Sequence, residues 1–383
     1  MIKVAVIGFG VVGSGVVDII HYNKEVLEQA TGEKIELKKI LDIREFPEDK
    51  HGHLVTANAD EIFDDPEIDI IVETMGGTKY AYPYSVRALK SGKHLVTSNK
   101  EMVAAHGPEL LQLAKENGVR YMFEASVGGG IPIIRPLTLC LGANHITQIY
   151  GILNGTTNYI LTQMKETGKS FDVALKEAQQ KGYAEANPTA DVEGFDAVRK
   201  IAILSSVAYN QFVDYNKLHC EGITKITTED VELAESLGYA IKLIGYSKKD
   251  EKGILARVSP MLLPKSYLMA NVNDVFNAIC VKGDFIDETM YYGRGAGKDA
   301  TASAVVGDIV DIVKNPKAAA KSDWSVTAED LVAADQAVSA FFVRYEENGE
   351  QKALMTEAMP EYQLEAYLAE KNLNVKNIIR VMQ

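Results

Sequence analysis

Six residues near the start of the chain constrain its fold more than anything after them. Gly8-Phe9-Gly10-Val11-Val12-Gly13 follows the short, uninterrupted β-branched run at 3–8 and opens a helical stretch from 11 to 23. Glycines at these three positions permit a tight turn and a close approach of backbone to a pyrophosphate. The anion then sits at a helix N-terminus, where N–H groups and the dipole favour it. A strand before and a helix after favour a dinucleotide turn over a merely structural glycine turn. A strand without polar residues is buried on both faces, as in parallel sheets. Further strands are expected at 35–42, 68–73, 94–97 and 119–123, with helical segments between them, the clearest at 84–91 and 108–117. That alternation predicts a parallel sheet with helices on both faces.

The alternation stops where glycines gather at Gly128, Gly129 and Gly130, with Pro132 close behind. From 133 to 297 the pattern is mixed. Helices are expected at 157–168, 170–181, 193–210, 228–238 and 266–270, and strands at 145–153, 239–248, 254–261 and 274–286. Several of these strands alternate apolar and polar residues as antiparallel sheets do. A helix signal at 301–313 follows another glycine cluster, Gly293, Gly295 and Gly297, and is expected to return to the first domain. Residues 321–340 read as linker plus helix, and 341–383 as strand, strand, helix, strand. The fold class is therefore α/β: an N-terminal Rossmann-like doubly wound parallel sheet, an α+β substrate and dimerisation domain, and a short C-terminal α+β tail. The expected bounds are 1–132, completed by a helix at 300–315, then 133–299, then 321–383 for the linker helix and tail.

Composition narrows the class. A chain of 383 residues with 46% apolar and 24% charged residues suits a soluble protein of two or three domains. Forty Lys+Arg against 53 Asp+Glu give a net charge of −13, so a basic nucleic-acid face is not expected. No apolar run reaches about 18 residues, which predicts no membrane span. The chain opens into a strand, which predicts no cleavable signal. Cys140, Cys220 and Cys280 lie far apart with neither pairing nor metal spacing, as in a reduced cytoplasm.

Several polar residues stand where chemistry is done. Asp42 closes the second strand, where a carboxylate accepts hydrogen bonds from the adenine ribose diol; Arg44, two residues on, is placed for a 2′-phosphate. Asp42 argues for NAD and Arg44 for NADP. Both stay open, with a lean to NAD or dual use. Thr97-Ser98-Asn99-Lys100-Glu101 ends a strand at its carboxyl end, where open α/β sheets place ligands. Lys100 there serves the cofactor or the reacting oxygen, or is a solvated loop lysine. The turn EASVGGGIP at 124–132 offers carbonyls to a cation, or simply connects domains. Gly182-Tyr183-Ala184-Glu185 precedes Asp191, Glu193, Asp196 and Lys200. Asp196 and Lys200 share a helix face; taken alone they read as a surface ion pair worth about 0.3–0.5 kcal/mol. The helix continues apolar through Ile201, Ala202, Ile203 and Leu204, which sets its polar first turns at the mouth of a buried element. Acids that hold an ammonium, beside a lysine that handles an alcohol, suit an amino-alcohol substrate.

GFGVVGSGVV at 8–17, VTSNKE at 96–101, EASVGGGIP at 124–132, GILNGTTNYIL at 151–161 and GYAEANPTADVEGFDAVRKIAIL at 182–204 resemble, in order and spacing, the homoserine dehydrogenases. The resemblance runs from residue 1 to about 315. It implies NAD(P)-dependent interconversion of L-homoserine and L-aspartate 4-semialdehyde on the route to threonine and methionine, by a cytoplasmic homodimer whose ligands are small molecules. It implies Lys200 as the proton-transferring lysine and Lys100 as a second lysine near nicotinamide and substrate. Glu185 and Asp196 become substrate ligands, with Gly182 and Thr156 lining the pocket. Cofactor contacts fall to Gly8, Phe9, Gly10, Val11, Val12, Gly13, Asp42, Arg44, Lys100 and Gly297. A structural sodium ion would sit on the backbone carbonyls of Glu124, Val127, Gly129 and Ile131.

The sequence departs from the family at its end. Many members carry a regulatory ACT domain whose first loop holds a Pro-Gly pair. Here the strand at 340–345 runs into Glu346-Glu347-Asn348-Gly349, and the tail is about half a domain long. An ACT-remnant-like tail without a threonine site is expected. Three rival readings fare worse. An aspartate-semialdehyde dehydrogenase needs a cysteine nucleophile with a base nearby, and no cysteine here sits in a glycine-rich, helix-opening context. A sugar-type dehydrogenase would use a Glu-Lys-Pro turn that is absent. A catalytically inactive NAD(P)-binding regulator would have lost Lys100, Lys200 or Glu185, and all three are present.

Overall fold

In the computed structural model, which describes residues 1–317 and 324–382, the apolar run at the start of the chain is an inner strand of a parallel sheet. β1 (Ile2–Ile7) leads into α1 (Val11–Tyr22), α2 (Lys24–Thr31), β2 (Ile35–Leu41), β3 (Val55–Thr56), α3 (Asp60–Phe63) and β4 (Ile70–Glu73). Then come α4 (Ala81–Lys90), β5 (His94–Thr97), α5 (Lys100–Glu116) and β6 (Tyr121–Met122). The sheet order is β3-β2-β1-β4-β5-β6, all parallel. The chain winds one way from β1 to β3 and the other from β4 to β6. The carboxyl ends of β1 and β4 therefore flank the switch point at which such sheets bind ligands. Val4, Val6, Ile70, Val72 and Val96 of the strands bury against Val16, Val17 and Ile20 of α1.

α5 begins eight residues before the expected helix at 108. Pro108 lies inside it, whereas the sequence reading begins the helix there, since proline lacks an N–H and suits a first turn. The helix spans the proline because the Asn99 side chain caps it by accepting the Met102 N–H, and because Met102, Val103, Leu110, Leu111 and Ala114 form one buried stripe. α2 escaped the sequence reading because Leu27 is its single buried residue.

The second part of the chain contains β7 (Ile146–Ile152), α6 (Gly155–Thr167), α7 (Phe171–Gln180), α8 (Thr189–Val192), α9 (Phe195–Tyr209) and β8 (His219–Cys220). α10 (Thr228–Ser236), β9 (Tyr239–Asp250), β10 (Gly253–Pro264), β11 (Phe276–Gly283) and β12 (Asp287–Arg294) follow. The strand expected at 274–286 is thus the first half of a hairpin, turned with Asp287 at φ 56°. The helix expected at 266–270 is one 3₁₀ turn, Leu268–Asn271. α11 (Lys298–Lys314) packs on α1: a Cβ on Gly15 would lie 2.9 Å from that of Ala302, so only glycine admits the approach.

The helix expected within 321–340 is absent from the described residues there, whose one helical turn is the 3₁₀ turn Ala334–Gln336; residues 321–323 lie outside the described residues. Trp324 explains the extended path: its indole is buried against Phe123 and Phe212, and the Phe212 N–H donates to the Val326 carbonyl. The chain closes with β13 (Val338–Glu347), β14 (Glu350–Met355), β15 (Met359–Pro360), α12 (Leu364–Lys371) and β16 (Asn374–Val381). β16 pairs with β10, so the tail extends the main mixed sheet of its own chain, in the order β12-β11-β7-β9-β10-β16-β13-β14. Phe341, Val343, Leu364 and Leu368 form the tail's core.

The chain forms two compact units. The first holds Met1–Ala143, Ser206–Val213 and the described part of Ala296–Thr327; the second holds Asn144–Ser205, Asp214–Gly295 and the described residues from Ala328 on.

Candidate active site

In the first unit the glycine turn has the geometry its sequence demands. Gly8 adopts φ 94°, and a Cβ on Gly13 would stand 2.0 Å from the Gly8 carbonyl oxygen. Gly10 differs: no protein atom among the described residues lies within 4 Å of its built Cβ. That open space lets a pyrophosphate reach the backbone at the start of α1, where no described side chain caps the helix. Gly297, at φ 122°, opens α11.

Asp42 and Arg44 are partners rather than alternatives. One Asp42 oxygen accepts the Arg44 backbone N–H at 3.0 Å and Nε at 2.9 Å. The other accepts the Phe9 N–H and Arg44 Nη2, both at 2.8 Å. The guanidinium and these N–H groups hold the Asp42 carboxyl down at about 2. Arg44 also donates to the Phe9 carbonyl and lies over the Phe46 ring, so the pair ties the glycine turn to the end of β2. A cavity of about 380 Å³ opens beside the pair, lined by Asp42, Ile43, Arg44, Phe46 and Pro47 among others.

Lys100 is half-buried as the first residue of α5. Nearby in sequence, the turn at 124–131 is drawn tight by its own acids. The buried Glu124 carboxylate accepts the N–H groups of Ile133, Ile134 and Arg135 at 2.6–2.9 Å. Asp308 of α11 accepts the Glu124 N–H and pairs with Arg135 at 2.5 Å; burial and the neighbouring Glu124 raise its carboxyl to about 7. With the Glu124 side chain so engaged, backbone oxygens are what the turn offers. Val127, Gly129 and Ile131 are buried, and no hydrogen bond among the described residues reaches their carbonyls. Carbonyls without a hydrogen-bond donor are available as ligands, and a hard monovalent cation is a fitting partner for them.

In the second unit, Lys200 and Asp196 sit on α9 as an ion pair, but a buried one: the residues are 8% and 3% exposed. Burial replaces the surface reading with a fixed geometry. Lys200 Nζ donates to Asp196 Oδ2 at 2.7 Å and to the Leu153 carbonyl at 2.8 Å. Asn154, the N-cap of α6, donates from Nδ2 to the same Asp196 oxygen at 2.9 Å and to Asp191 at 2.7 Å. Asn154 is a site residue that sequence reasoning missed. Its signal was the N-cap position after a buried strand, in the segment GILNGTTN.

Thr156, in the first turn of α6, donates to the Tyr183 carbonyl at 2.7 Å, which fastens the segment carrying Gly182 and Glu185. Gly182 takes φ 73° after α7, and Glu185 is exposed beyond it. The structure thus joins Lys200, Asp196, Asn154 and Asp191 in one hydrogen-bonded cluster and leaves the Glu185 side chain on the surface. None of the cysteines stands in the glycine turn, and all three are free: Cys140 exposed, Cys220 half-buried, Cys280 buried.

Comparison with known proteins finds relatives of nearly the whole chain. A family model described as the NAD binding domain of homoserine dehydrogenase matches residues 8–124, and one described as homoserine dehydrogenase matches 132–310. Homoserine dehydrogenase of Pseudomonas aeruginosa is 39% identical over 99% of this chain and 88% of its own; that of Bacillus subtilis is 44% identical over 82% and 73%. A solved homoserine dehydrogenase of Thiobacillus denitrificans superposes with a TM-score of 0.93 at 36% identity, covering 100% of this chain and 98% of that one. A hyperthermophilic archaeal homoserine dehydrogenase mutant in complex with NADPH gives 0.68 at 27% identity, over 81% and 97%.

Proposed function

The chain belongs to the homoserine dehydrogenase family, and from that premise we propose how its own residues divide the work. The reaction is the NAD(P)-dependent interconversion of L-homoserine and L-aspartate 4-semialdehyde, an oxidoreduction at a CH–OH group. The nicotinamide, when bound, supplies or accepts the hydride. The observation that carries the residue assignment is the buried Lys200–Asp196–Asn154 cluster.

As the aldehyde is reduced, negative charge grows on its oxygen, and an ammonium aimed at that oxygen stabilises it and gives it a proton. Lys200 does this. Its two bonds, to Asp196 and the Leu153 carbonyl, fix the direction of Nζ, and Asn154 holds Asp196 in turn. Asp196 and Glu185 supply the negative charge that meets the substrate ammonium, Gly182 and Thr156 shape the segment that presents Glu185, and Lys100 serves the cofactor end.

Gly8 to Gly13 and Gly297 receive the dinucleotide. NAD and NADP are both used: opening the Asp42–Arg44 pair gives a carboxylate for a ribose diol or a guanidinium for a 2′-phosphate. A structural sodium ion would be held by the carbonyls of Glu124, Val127, Gly129 and Ile131, the last three of which accept no hydrogen bond among the described residues. The protein acts in the cytoplasm as a homodimer built on the second unit's sheet; among the described residues no helix is long and apolar enough to cross a membrane. The test is oxidation of NADPH and NADH by the wild-type enzyme with L-aspartate 4-semialdehyde. Turnover with neither nucleotide would sink the reading.

A further inference from the structure

One buried acid of the first unit has no part in the chemistry so far. Glu73 ends β4, pairs with Ile7 of β1 and Thr97 of β5, and is wholly buried. The three residues before it, Ile70, Ile71 and Val72, are apolar, as an inner strand requires. An apolar residue at 73 would continue the pattern at no desolvation cost. A carboxylate there must do something that an apolar side chain cannot.

What it does is visible in its bonds. One oxygen accepts the Met75 N–H at 2.6 Å and the other accepts the Thr97 hydroxyl, also at 2.6 Å. Thr97 Oγ1 in turn accepts the Asn99 N–H at 2.9 Å. Asn99 Nδ2 donates to the carbonyls of Met75 and Gly77, and Asn99 Oδ1 caps α5 through the Met102 N–H. On the other side, the Thr74 hydroxyl donates to the Gly8 carbonyl at 2.8 Å. The loops at the carboxyl ends of β1, β4 and β5 are therefore linked by one network with Glu73 at its root. Lys100 is the residue immediately after the Asn99 cap.

We propose that Glu73 is a positioning residue for the reaction: its carboxylate clamps the 74–77 loop and, through Thr97 and Asn99, fixes the first turn of α5 that carries Lys100. The proposal rests on Lys100 serving the cofactor end of the reaction. A carboxylate is the group that can accept both the Met75 N–H and the Thr97 proton. A glutamine oxygen can still accept the Met75 N–H, but its NH₂ must then donate to Thr97 Oγ1, which reverses that bond and leaves the Thr97 proton without its acceptor. Glu73 also gains and loses its proton in the working range, because burial lifts its carboxyl to about 7. The groups around it are the Thr97 hydroxyl, the Asn99 amide and, from β6, the buried Tyr121 phenol. Below pH 7 the acid is protonated and its O–H turns to Thr97 Oγ1, which reverses that bond and leaves the Thr97 proton without its acceptor, so the clamp loosens toward acid.

The experiment measures kcat, KM and their pH dependence for Glu73→Gln, Thr97→Val, Thr97→Ser and Lys100→Met. The wild type should show an acid limb of kcat near pH 7, and Glu73→Gln should abolish it, lower kcat at least tenfold and leave KM for homoserine within threefold. Thr97→Val, which keeps the shape and loses the hydroxyl, should reproduce the loss of kcat, and Thr97→Ser should restore it. Glu73→Gln with kcat within twofold of wild type overturns the proposal. So does a loss of kcat with the acid limb left in place, which would make Glu73 merely structural. If Glu73→Gln does not fold, equal turnover by Thr97→Val and Thr97→Ser overturns it. A Lys100→Met variant at the wild-type rate refutes the role of Lys100 itself; a slow Lys100→Met beside a normal Glu73→Gln refutes only the clamp.

Discussion

Replacing Lys200 by methionine should separate stability from catalysis, because the lysine is both half of a buried ion pair and the proposed proton donor. Removing one partner of a buried pair leaves the other charge uncompensated, at a cost of about 3–5 kcal/mol. Asp196 keeps one donor in the Lys200→Met variant, since Asn154 Nδ2 stays 2.9 Å from its Oδ2. The loss should therefore sit at the lower end, near 3 kcal/mol. For a protein of this size that is a fall of about 4 °C in Tm. The double variant Lys200→Met, Asp196→Asn removes both charges and keeps an oxygen for Asn154, so most of the lost Tm should return. Activity should not return: kcat is expected to fall at least a hundredfold, about 3 kcal/mol of transition-state stabilisation, in single and double variants alike. Thermal melts followed by fluorescence and NAD(P)H absorbance assays read the two effects independently. A Lys200→Met protein that melts like wild type would show that the pair is not buried in solution. A double variant that regains both Tm and turnover would remove Lys200 from the chemistry.

Glu185→Gln keeps shape and deletes charge, so KM for homoserine should rise at least tenfold; equal turnover by wild type of an analogue lacking the amino group would contradict the ammonium role. Arg44→Ala should cost NADP more than NAD in kcat/KM, and in wild type a preference for NADP above tenfold would contradict dual use. Exchange of sodium for choline should lower Tm by several degrees if the 124–131 carbonyls hold a cation; an unchanged melt would leave them without one. Glu221, whose carboxyl the neighbouring His219 and Arg380 hold at about 2, lends stability that is complete above its unfolded value of roughly 4.3 and is lost as pH falls toward 2. Arg380→Ala should flatten that acid loss and speed hydrogen exchange in β16, which Arg380 ties to Glu221 and Glu361; wild-type exchange there would show that the tail is held by its strand pairing alone.

The glycine turn was legible because its constraint is local: a Cβ on Gly13 collides with a backbone oxygen five residues away, whatever the rest of the chain does. The Asp196–Lys200 spacing was equally legible, but its environment was not. An i,i+4 pair looks the same in sequence at the surface and in the interior. What buries this one is the Leu153 carbonyl and the Asn154 amide, more than forty residues earlier, brought to α9 by the packing of the second unit. The tail's strands β13, β14 and β16 and its helix were legible, the two-residue β15 was not, and the pairing of β16 with β10 depends on a register no local pattern encodes.

Asp42 and Arg44 make the physical limit plainest. Sequence reasoning set them against each other, since one suits a diol and the other a phosphate. In the folded chain each is the other's partner, and the choice of nucleotide becomes a competition. A ribose diol must displace the Arg44 guanidinium from the Asp42 carboxylate, whereas a 2′-phosphate must draw the same guanidinium away from it. Either cofactor breaks the same two side-chain bonds, so the cost of opening is common to both and cancels from their ratio. What remains is a hydroxyl pair on a carboxylate against a phosphate on a guanidinium with Asp42 repelling it nearby. That balance is close enough for a single substitution at 44 to shift it, and it is the physical basis for expecting both nucleotides to be used.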